Sequence, residues 1–154
     1  PMLASGGIGN GQQMAAAFAL GAEGVNMGTR FVATQEAPVH ENMKRAMVDA
    51  DERQTTLMFR SLNNTARVFK NAISAEVVRI EGQPGETAFN DLQPLVAGAR
   101  GRDRCIEKGE IDDGVWSAGM VMGLINDIPS CEELIQAMVR DCKETIAIRL
   151  QAML

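Results

Sequence analysis

Two glycine loops alternate with short apolar runs in "ASGGIGNGQQMAAAFALGAEGVNMGTRF" (residues 4–31). The first loop, within "ASGGIGNG" (residues 4–11), has four glycines in eight positions and follows the apolar run Pro1–Ser5. Glycine enters the left-handed region and lets a backbone approach a ligand closely, at a cost in conformational entropy. A chain that places so many glycines at one point therefore needs backbone without side chains there.

The elements around this loop predict a βαβ unit. The apolar run Pro1–Ser5 and the run Gly24–Met27 are each typical of a short buried strand. Between them, Asn10 can cap a helix that runs from Gly11 to Leu20, and Gly21 suits the end of that helix. A strand, a helix and a second strand in this order predict two parallel strands joined by a right-handed crossover, and hence an α/β fold.

Helical signals dominate the rest of the chain. The spacing of Met43, Ala46, Met47 and Ala50 predicts a helix over residues 41–52. Helices are also predicted over residues 75–80 and 87–99, and Pro94 must kink the second of these or start a new turn. The stretch at residues 54–69 fits either strand or helix, and the charged stretches at residues 98–104 and 107–114 predict connections. Ser130 and Glu133 form a capping box before the last helix, whose predicted apolar face is Leu134, Ile135, Met138, Val139, Cys142, Ile146 and Leu150.

Composition limits the classes of function. The chain has 154 residues and is 45% hydrophobic, enough for one domain-sized core. A net charge of −5 argues against a nucleic-acid partner, and no apolar run has the length of a membrane span. Three cysteines without a C-x-x-C spacing fit a reducing cytoplasm. Because the chain starts inside a predicted strand, we expect it to be the C-terminal part of a longer protein.

The glycine loop predicts an anion site. Backbone N–H groups at a helix N-terminus bind phosphate well, and Gly6, Gly7, Gly9 and Gly11 would leave room for one. A tight turn without a ligand is the alternative. Two phosphate motifs are excluded: a Walker A loop needs Lys and Ser or Thr after its last glycine, where this chain has Gln12-Gln13. The dinucleotide fingerprint G-x-G-x-x-G is not matched, because Met14 stands where its last glycine is required when the motif is counted from Gly9. The acidic residue expected at the end of the next strand is also missing, since that position holds Asn26.

The second loop makes the phosphate hypothesis more specific. Asn26-Met27-Gly28-Thr29 follows the second strand, contains a glycine and adds a hydroxyl. In (β/α)₈ barrels, the loops after strands seven and eight hold one phosphate between them. The pattern therefore predicts that Pro1–Ser5 and Gly24–Met27 are strands seven and eight of such a barrel, and that the amides of Gly7 and Gly28 converge.

The same residues resemble a known family. Residues 4–31 and "GVWSAGMVMGLINDIPSCEELI" (residues 114–135) are similar to the FMN-dependent nitronate monooxygenases, formerly called 2-nitropropane dioxygenases. Flavin-dependent enoyl-acyl-carrier-protein reductases are close relatives of that family. The resemblance implies the C-terminal part of a TIM barrel: residues 1–37 form the last two strands and the phosphate loops, residues 38–114 a mainly helical insert, and residues 115–154 the return segment and the final barrel helix.

By resemblance, FMN is the cofactor, and many family members have Gln where this chain has Asn26. The implied reaction oxidises an alkyl nitronate with dioxygen to a carbonyl compound and nitrite. Reduction of an enoyl thioester or a quinone with NAD(P)H is an alternative on the same barrel, and a non-catalytic assembly fragment is an alternative of another class. The expected partners are a small-molecule substrate, the missing N-terminal half of the barrel and a possible second copy of the chain, with no nucleic acid and no membrane. The FMN phosphate is expected at Gly6, Gly7, Asn26, Met27, Gly28 and Thr29.

We assign no catalytic residue and no metal ligand within this chain. His40 is the only histidine, and its position before a helix favours a capping or surface role. Arg30 is expected to pair with a carboxylate as part of the scaffold. Met120 and Met122 are candidates to line the flavin or substrate cavity, although family members often have Gln near Met120. The aspartates at positions 112, 113 and 127 have no partner at metal spacing, and the arginines at positions 100–104 fit a solvated face.

Overall fold

The computed structural model describes residues 1–153. Strand β1 (Leu3–Ser5) pairs in parallel with strand β2 (Gly24–Asn26), with Leu3 opposite Gly24 and Ser5 opposite Asn26. Helix α1 (Gly11–Ala19) connects them. The predicted strand–helix–strand unit is thus confirmed, and so is the α/β class. The cap is also as predicted: the Asn10 side chain accepts a hydrogen bond from the Gln13 amide, and Gly21 ends the helix with φ of +97°.

Helix α7 (Cys131–Glu144) packs against α1 with the two backbones almost in contact. A Cβ atom added at Gly11 would lie 2.5 Å from the Met138 carbonyl oxygen, so no side chain fits between the helices. The capping box of Ser130 and Glu133 is confirmed. Further turns follow at Thr145–Leu150 and Gln151–Met153. The core between α1 and α7 contains Ile8, Ala17, Ala22, Leu134 and Met138.

The predicted apolar face of α7 is only partly correct. Leu134, Met138 and Cys142 are buried as expected. The other four predicted members are substantially exposed: Ile135 and Val139 lie on α7, whereas Ile146 and Leu150 lie beyond its end, in the turn at Thr145–Leu150. Their exposed fractions are 49% for Ile135, 36% for Val139, 45% for Ile146 and 39% for Leu150.

The segment between β2 and α7 is mostly helical, with one hairpin. It contains α2 (Thr29–Val32), α3 (Glu41–Val48), β3 (Thr55–Met58), β4 (Ala66–Phe69), α4 (Ala72–Glu81), α5 (Phe89–Val96) and α6 (Gly98–Gly101), then a π-helical turn at Arg102–Glu107 and a 3₁₀ turn at Met120–Leu124. Strands β3 and β4 are antiparallel, which resolves the ambiguous stretch at residues 54–69 in favour of strand. Helix α3 ends at Val48, earlier than predicted, with Asp49 as its C-cap.

One predicted connection is wrong. Residues 98–104 are helical, forming α6 and the start of the π-helical turn, although their glycines and arginines suggested a loop. Packing explains the difference, because a Cβ atom at Gly101 would lie 2.6 Å from the Val115 carbonyl oxygen. Gly101 therefore permits close contact between this helix and the return segment, and it does not mark a turn.

The largest core cluster lies within the segment between β2 and α7. Phe69 and Trp116 stack with their ring centroids 4.2 Å apart. Cys105 is fully buried beside them, and burial raises the pKa of its thiol. Within residues 1–153, no helix is both long enough and apolar enough to cross a bilayer. The members of the cluster are Ala33, Met43, Met47, Phe69, Cys105, Trp116, Ala118, Met122 and Ile125.

Candidate functional site

The two glycine loops leave the same edge of the small parallel sheet. Ser5 and Asn26 are partners in the register, so the loop after β1 and the loop after β2 start side by side. The Asn26 side-chain amide donates a hydrogen bond of 3.1 Å to the Ser5 hydroxyl and ties the two strand ends together. In parallel sheets, ligands bind in the crevice outside the carboxyl ends of the strands, which is where these loops lie.

Four backbone amides at this edge have no acceptor in a turn, a loop or a side chain. Within residues 1–153, and apart from the ladder that pairs β1 with β2, the N–H groups of Gly6, Gly7, Gly28 and Thr29 donate no hydrogen bond to another group of the protein. Gly6 and Gly7 have φ of +87° and +74°, and a Cβ atom added at Gly6, Gly7 or Gly28 would meet nothing within 4 Å. Free amides around open space form the kind of concavity that binds an oxyanion. The assignment of the six predicted residues to a phosphate stays a prediction.

Gly9 and Gly11 have another role than the one expected from the sequence. A Cβ atom at Gly9 would lie 2.5 Å from a methyl group of Val121, and one at Gly11 would collide with the backbone of α7. Both positions exclude side chains because neighbouring protein fills the space. Only Gly6 and Gly7 of the first loop, together with Gly28 of the second, therefore border open space that a ligand could occupy.

Gln13, which the sequence pattern did not single out, braces the first loop. Its side-chain oxygen accepts a hydrogen bond of 2.8 Å from the Gly9 amide. Its side-chain amide donates one of 3.0 Å to the Gly7 carbonyl oxygen. The only available signal was its place as the third residue of a capped helix, where a Gln can reach back toward the preceding backbone.

Thr29 connects the second loop to the return segment. Its hydroxyl oxygen accepts a hydrogen bond of 2.9 Å from the Gly119 amide, and its own proton remains available for donation. Met120, the residue after Gly119, is 54% exposed, whereas Met122 is fully buried in the core. Of the two methionines, only Met120 therefore has a surface that a ligand could contact.

Arg30 belongs to the scaffold, as predicted. It is 4% exposed, and its guanidinium donates to a side-chain oxygen and to the carbonyl oxygen of Asp127. The Asp127 carboxylate, for which the sequence suggested only a turn position, compensates the buried guanidinium. Burying an unpaired charge is costly, so this pair fixes the start of α2 against the loop before α7.

His40 caps a helix, as predicted. Its Nδ1 atom accepts a hydrogen bond of 3.1 Å from the Asn42 amide at the start of α3. The Asn42 side chain donates to the carbonyl oxygen of Gly109. The arginines at positions 102 and 104 form exposed ion pairs with nearby carboxylates, in agreement with a solvated face.

Glu36 binds the N-terminus of α7. Both of its carboxylate oxygens accept hydrogen bonds from the Cys131 amide, at 3.0 and 2.9 Å. These bonds lower the pKa of the Glu36 carboxyl, and the positive charge of Lys44 contributes in the same direction. Lys44 is itself buried and donates to the Gln35 carbonyl oxygen. These contacts, which the sequence did not reveal, anchor the chain after α2 next to the second loop.

Comparison with known proteins shows which family this chain is similar to. The model of the nitronate monooxygenase family matches residues 1–141. A nitronate monooxygenase of Paraburkholderia phytofirmans is 32% identical over 149 residues, which is 95% of this chain and 39% of that protein. The structure of FabK from Thermotoga maritima superimposes with a TM-score of 0.90 at 33% identity, covering 100% of this chain and 47% of FabK.

A nitroalkane oxidase from Streptomyces ansochromogenes is also similar, with a TM-score of 0.72 and 26% identity over 95% of this chain and 40% of that one. The chain thus spans about two fifths to one half of the length of each of these relatives.

Proposed function

Because this chain belongs to the nitronate monooxygenase family, we propose that its two glycine loops hold the phosphate of FMN in an oxidoreductase. Members of this family are flavoprotein oxidoreductases related to TIM barrels. The observation that carries the proposal is the set of free amides at Gly6, Gly7, Gly28 and Thr29, which surround space that no protein atom fills. A phosphate dianion needs several donors of this kind, and fixed backbone amides bind it without a basic side chain.

Each residue of the site has a distinct task in this proposal. The amides of Gly6 and Gly7 bind the phosphate from one loop, and those of Gly28 and Thr29 bind it from the other. The Thr29 hydroxyl adds a donor, since its oxygen already accepts from Gly119. Asn26 holds the two strand ends at a fixed distance through Ser5. Met27 connects β2 to the amides of the second loop.

When bound, FMN would supply the redox chemistry, accepting electrons from an alkyl nitronate and passing them to dioxygen, with a carbonyl compound and nitrite as products. The contribution of this chain is to fix the cofactor in position. The Gly119–Thr29 hydrogen bond keeps the exposed Met120 beside the phosphate loop. This side chain is therefore our candidate for contact with the flavin or the substrate.

We propose that the remaining barrel strands come from protein outside these 154 residues. Strand β1 and the residue before it expose apolar side chains, since Met2 is 55% and Leu3 63% exposed. Parallel sheets are normally covered on both faces, and two strands cannot close a barrel. We expect the catalytic base in that additional part, because the only histidine of this chain caps α3.

A reductase is the second candidate, and the similarity to FabK, an enoyl-acyl-carrier-protein reductase, favours it. Steady-state assays on the complete enzyme separate the two reactions. Consumption of oxygen with an alkyl nitronate in the absence of NADH supports the monooxygenase. Oxidation of NADH that depends on an enoyl thioester or a quinone supports the reductase.

The cofactor site is tested by replacing Gly28 with alanine. The new Cβ atom meets no protein atom, so the stability of the fold should not change. It would enter the space proposed for the phosphate, and we expect FMN to bind on the order of tenfold more weakly, which corresponds to about 1.4 kcal/mol. Gly98→Ala is the matched control, because its Cβ atom also meets nothing but lies far along the chain at the start of α6.

Quenching of flavin fluorescence measures the affinity, and thermal melting measures the stability. The proposal fails if the complete wild-type enzyme does not bind FMN. It also fails if Gly28→Ala binds FMN as tightly as the wild type while melting at the same temperature.

A further inference from the structure

We propose that Gln13 is a positioning residue that holds the first glycine loop in its phosphate-binding conformation, an inference that rests on the proposed function. The side chain makes two hydrogen bonds to the loop backbone, one from the Gly9 amide at 2.8 Å and one to the Gly7 carbonyl oxygen at 3.0 Å. No other described side chain donates to or accepts from the backbone of Gly6, Gly7 or Gly9. Among side-chain hydrogen bonds, only those of Gln13 hold the backbone of these glycines.

The loop needs such a brace because of its composition. Gly6 and Gly7 have φ of +87° and +74°, values that glycine adopts freely together with many others. An unbraced pair of glycines would sample several conformations, and binding a phosphate would then cost the entropy of ordering them. By fixing the Gly7 carbonyl oxygen and the Gly9 amide, Gln13 restricts the backbone on the C-terminal side of both glycines.

Gln13 is itself held rigidly. It is the third residue of α1, and its backbone amide donates a hydrogen bond of 2.9 Å to the Asn10 side chain. Helix α1 in turn packs closely on α7 through Gly11. The brace therefore couples the position of a packed helix to Gly6 and Gly7, the two glycines of this loop that border open space.

The chemistry of the side chain also matters. An amide both accepts from Gly9 and donates to Gly7, and it carries no charge near the proposed dianion. The brace occupies the Gly9 amide but leaves those of Gly6 and Gly7 free. A carboxylate at this position would keep the bond from Gly9, lose the bond to Gly7 and repel a phosphate.

The experiment compares FMN with riboflavin, which lacks the phosphate, in fluorescence titrations of the wild type, Gln13→Ala, Gln13→Glu and the control Gln12→Ala. Gln12 is the exposed neighbour, and its side chain makes no hydrogen bond among residues 1–153. For Gln13→Ala we expect about tenfold weaker binding of FMN, from the loss of two hydrogen bonds that order the loop, with unchanged binding of riboflavin. Gln13→Glu should weaken FMN further at low ionic strength, because the repulsion is then unscreened.

The outcomes separate this inference from the function on which it rests. If the wild type binds FMN and riboflavin equally, the phosphate site is wrong and the role of Gln13 falls with it. If the wild type prefers FMN and Gln13→Ala keeps the whole preference, only the role of Gln13 is refuted.

Amide hydrogen exchange without a ligand gives an independent measurement. The Gly9 amide should exchange about tenfold faster in Gln13→Ala than in the wild type, since its acceptor is gone. Equal rates would refute the brace, whereas a loss of protection throughout α1 would identify Gln13 as a residue needed for the helix itself.

Discussion

Replacing Gly11 with alanine tests whether α1 and α7 meet backbone to backbone. The added Cβ atom would lie 2.5 Å from the Met138 carbonyl oxygen and 2.7 Å from both the Asp141 Cβ atom and the Cys142 amide nitrogen. Two of these three atoms belong to the backbone, so no rotation of a side chain relieves the contact. Overpacking of this kind costs about 1–3 kcal/mol. If the overpacking lies in the middle of this range, at about 2 kcal/mol, and alanine regains up to about 1 kcal/mol in helix propensity, the net loss is about 1–2 kcal/mol.

Urea unfolding followed by circular dichroism measures this loss. With an m-value of about 2 kcal/mol/M, the midpoint should fall by about 0.5–1 M. Gly98→Ala is the control, since Gly98 also begins a helix but faces open space. Its midpoint should stay the same or rise. The packing explanation would be wrong if Gly11→Ala kept the wild-type midpoint. Reduced FMN affinity at unchanged stability would instead show that Gly11 faces the ligand.

Two further predictions concern the contacts that hold the segments together. The pKa of Glu36 is lowered below its ordinary value of 4.5, so the stability that this carboxylate contributes is present above that pH and is lost as the pH falls. The urea midpoint of Glu36→Gln should therefore lie below that of the wild type at pH 7, and the difference should shrink as the pH falls below 4.5. A constant difference would contradict this account. Asp127→Ala leaves the buried Arg30 without its carboxylate, and we expect a loss of about 1–3 kcal/mol. Asp51→Ala, which breaks an exposed ion pair, should cost far less in the same unfolding assay, and equal losses would show that burial of Arg30 is unimportant.

The sequence predicted those elements whose signals are local. Asn10 and Gly21 define the ends of α1, and Ser130 with Glu133 defines the start of α7, because each cap is made by residues within one helical turn. The relation between the two glycine loops was also predictable, since a βαβ unit brings the ends of its strands to one edge. The adjacent strand ends and the free amides agree with that expectation.

Features that depend on distant contacts were not predictable. The pairing of Arg30 with Asp127 joins residues 97 positions apart, and nothing near either residue indicates it. The hairpin formed by β3 and β4 has no Asn-Gly or Asp-Gly turn. Phe59 instead adopts φ of 63°, and the Glu81 carboxylate on α4 accepts hydrogen bonds from its amide and from that of Ser61. Such a turn is stable only after α4 has packed beside it.

The hydrogen bond from the Gly119 amide to the Thr29 hydroxyl joins residues 90 positions apart. Farther along the chain, the Gln35 backbone amide donates a hydrogen bond of 3.0 Å to the Pro129 carbonyl oxygen. These two hydrogen bonds form a neck between the segment after β2 and the segment before α7. The segment between Gln35 and Gly119 leaves and returns at this neck, and it also packs against the turn at Met120–Leu124. Because doubling the length of a closed loop costs only about 0.6 kcal/mol, such an excursion can grow, shrink or be exchanged while the neck stays shut. We therefore expect an exchange of this segment between relatives to leave the two glycine loops in place.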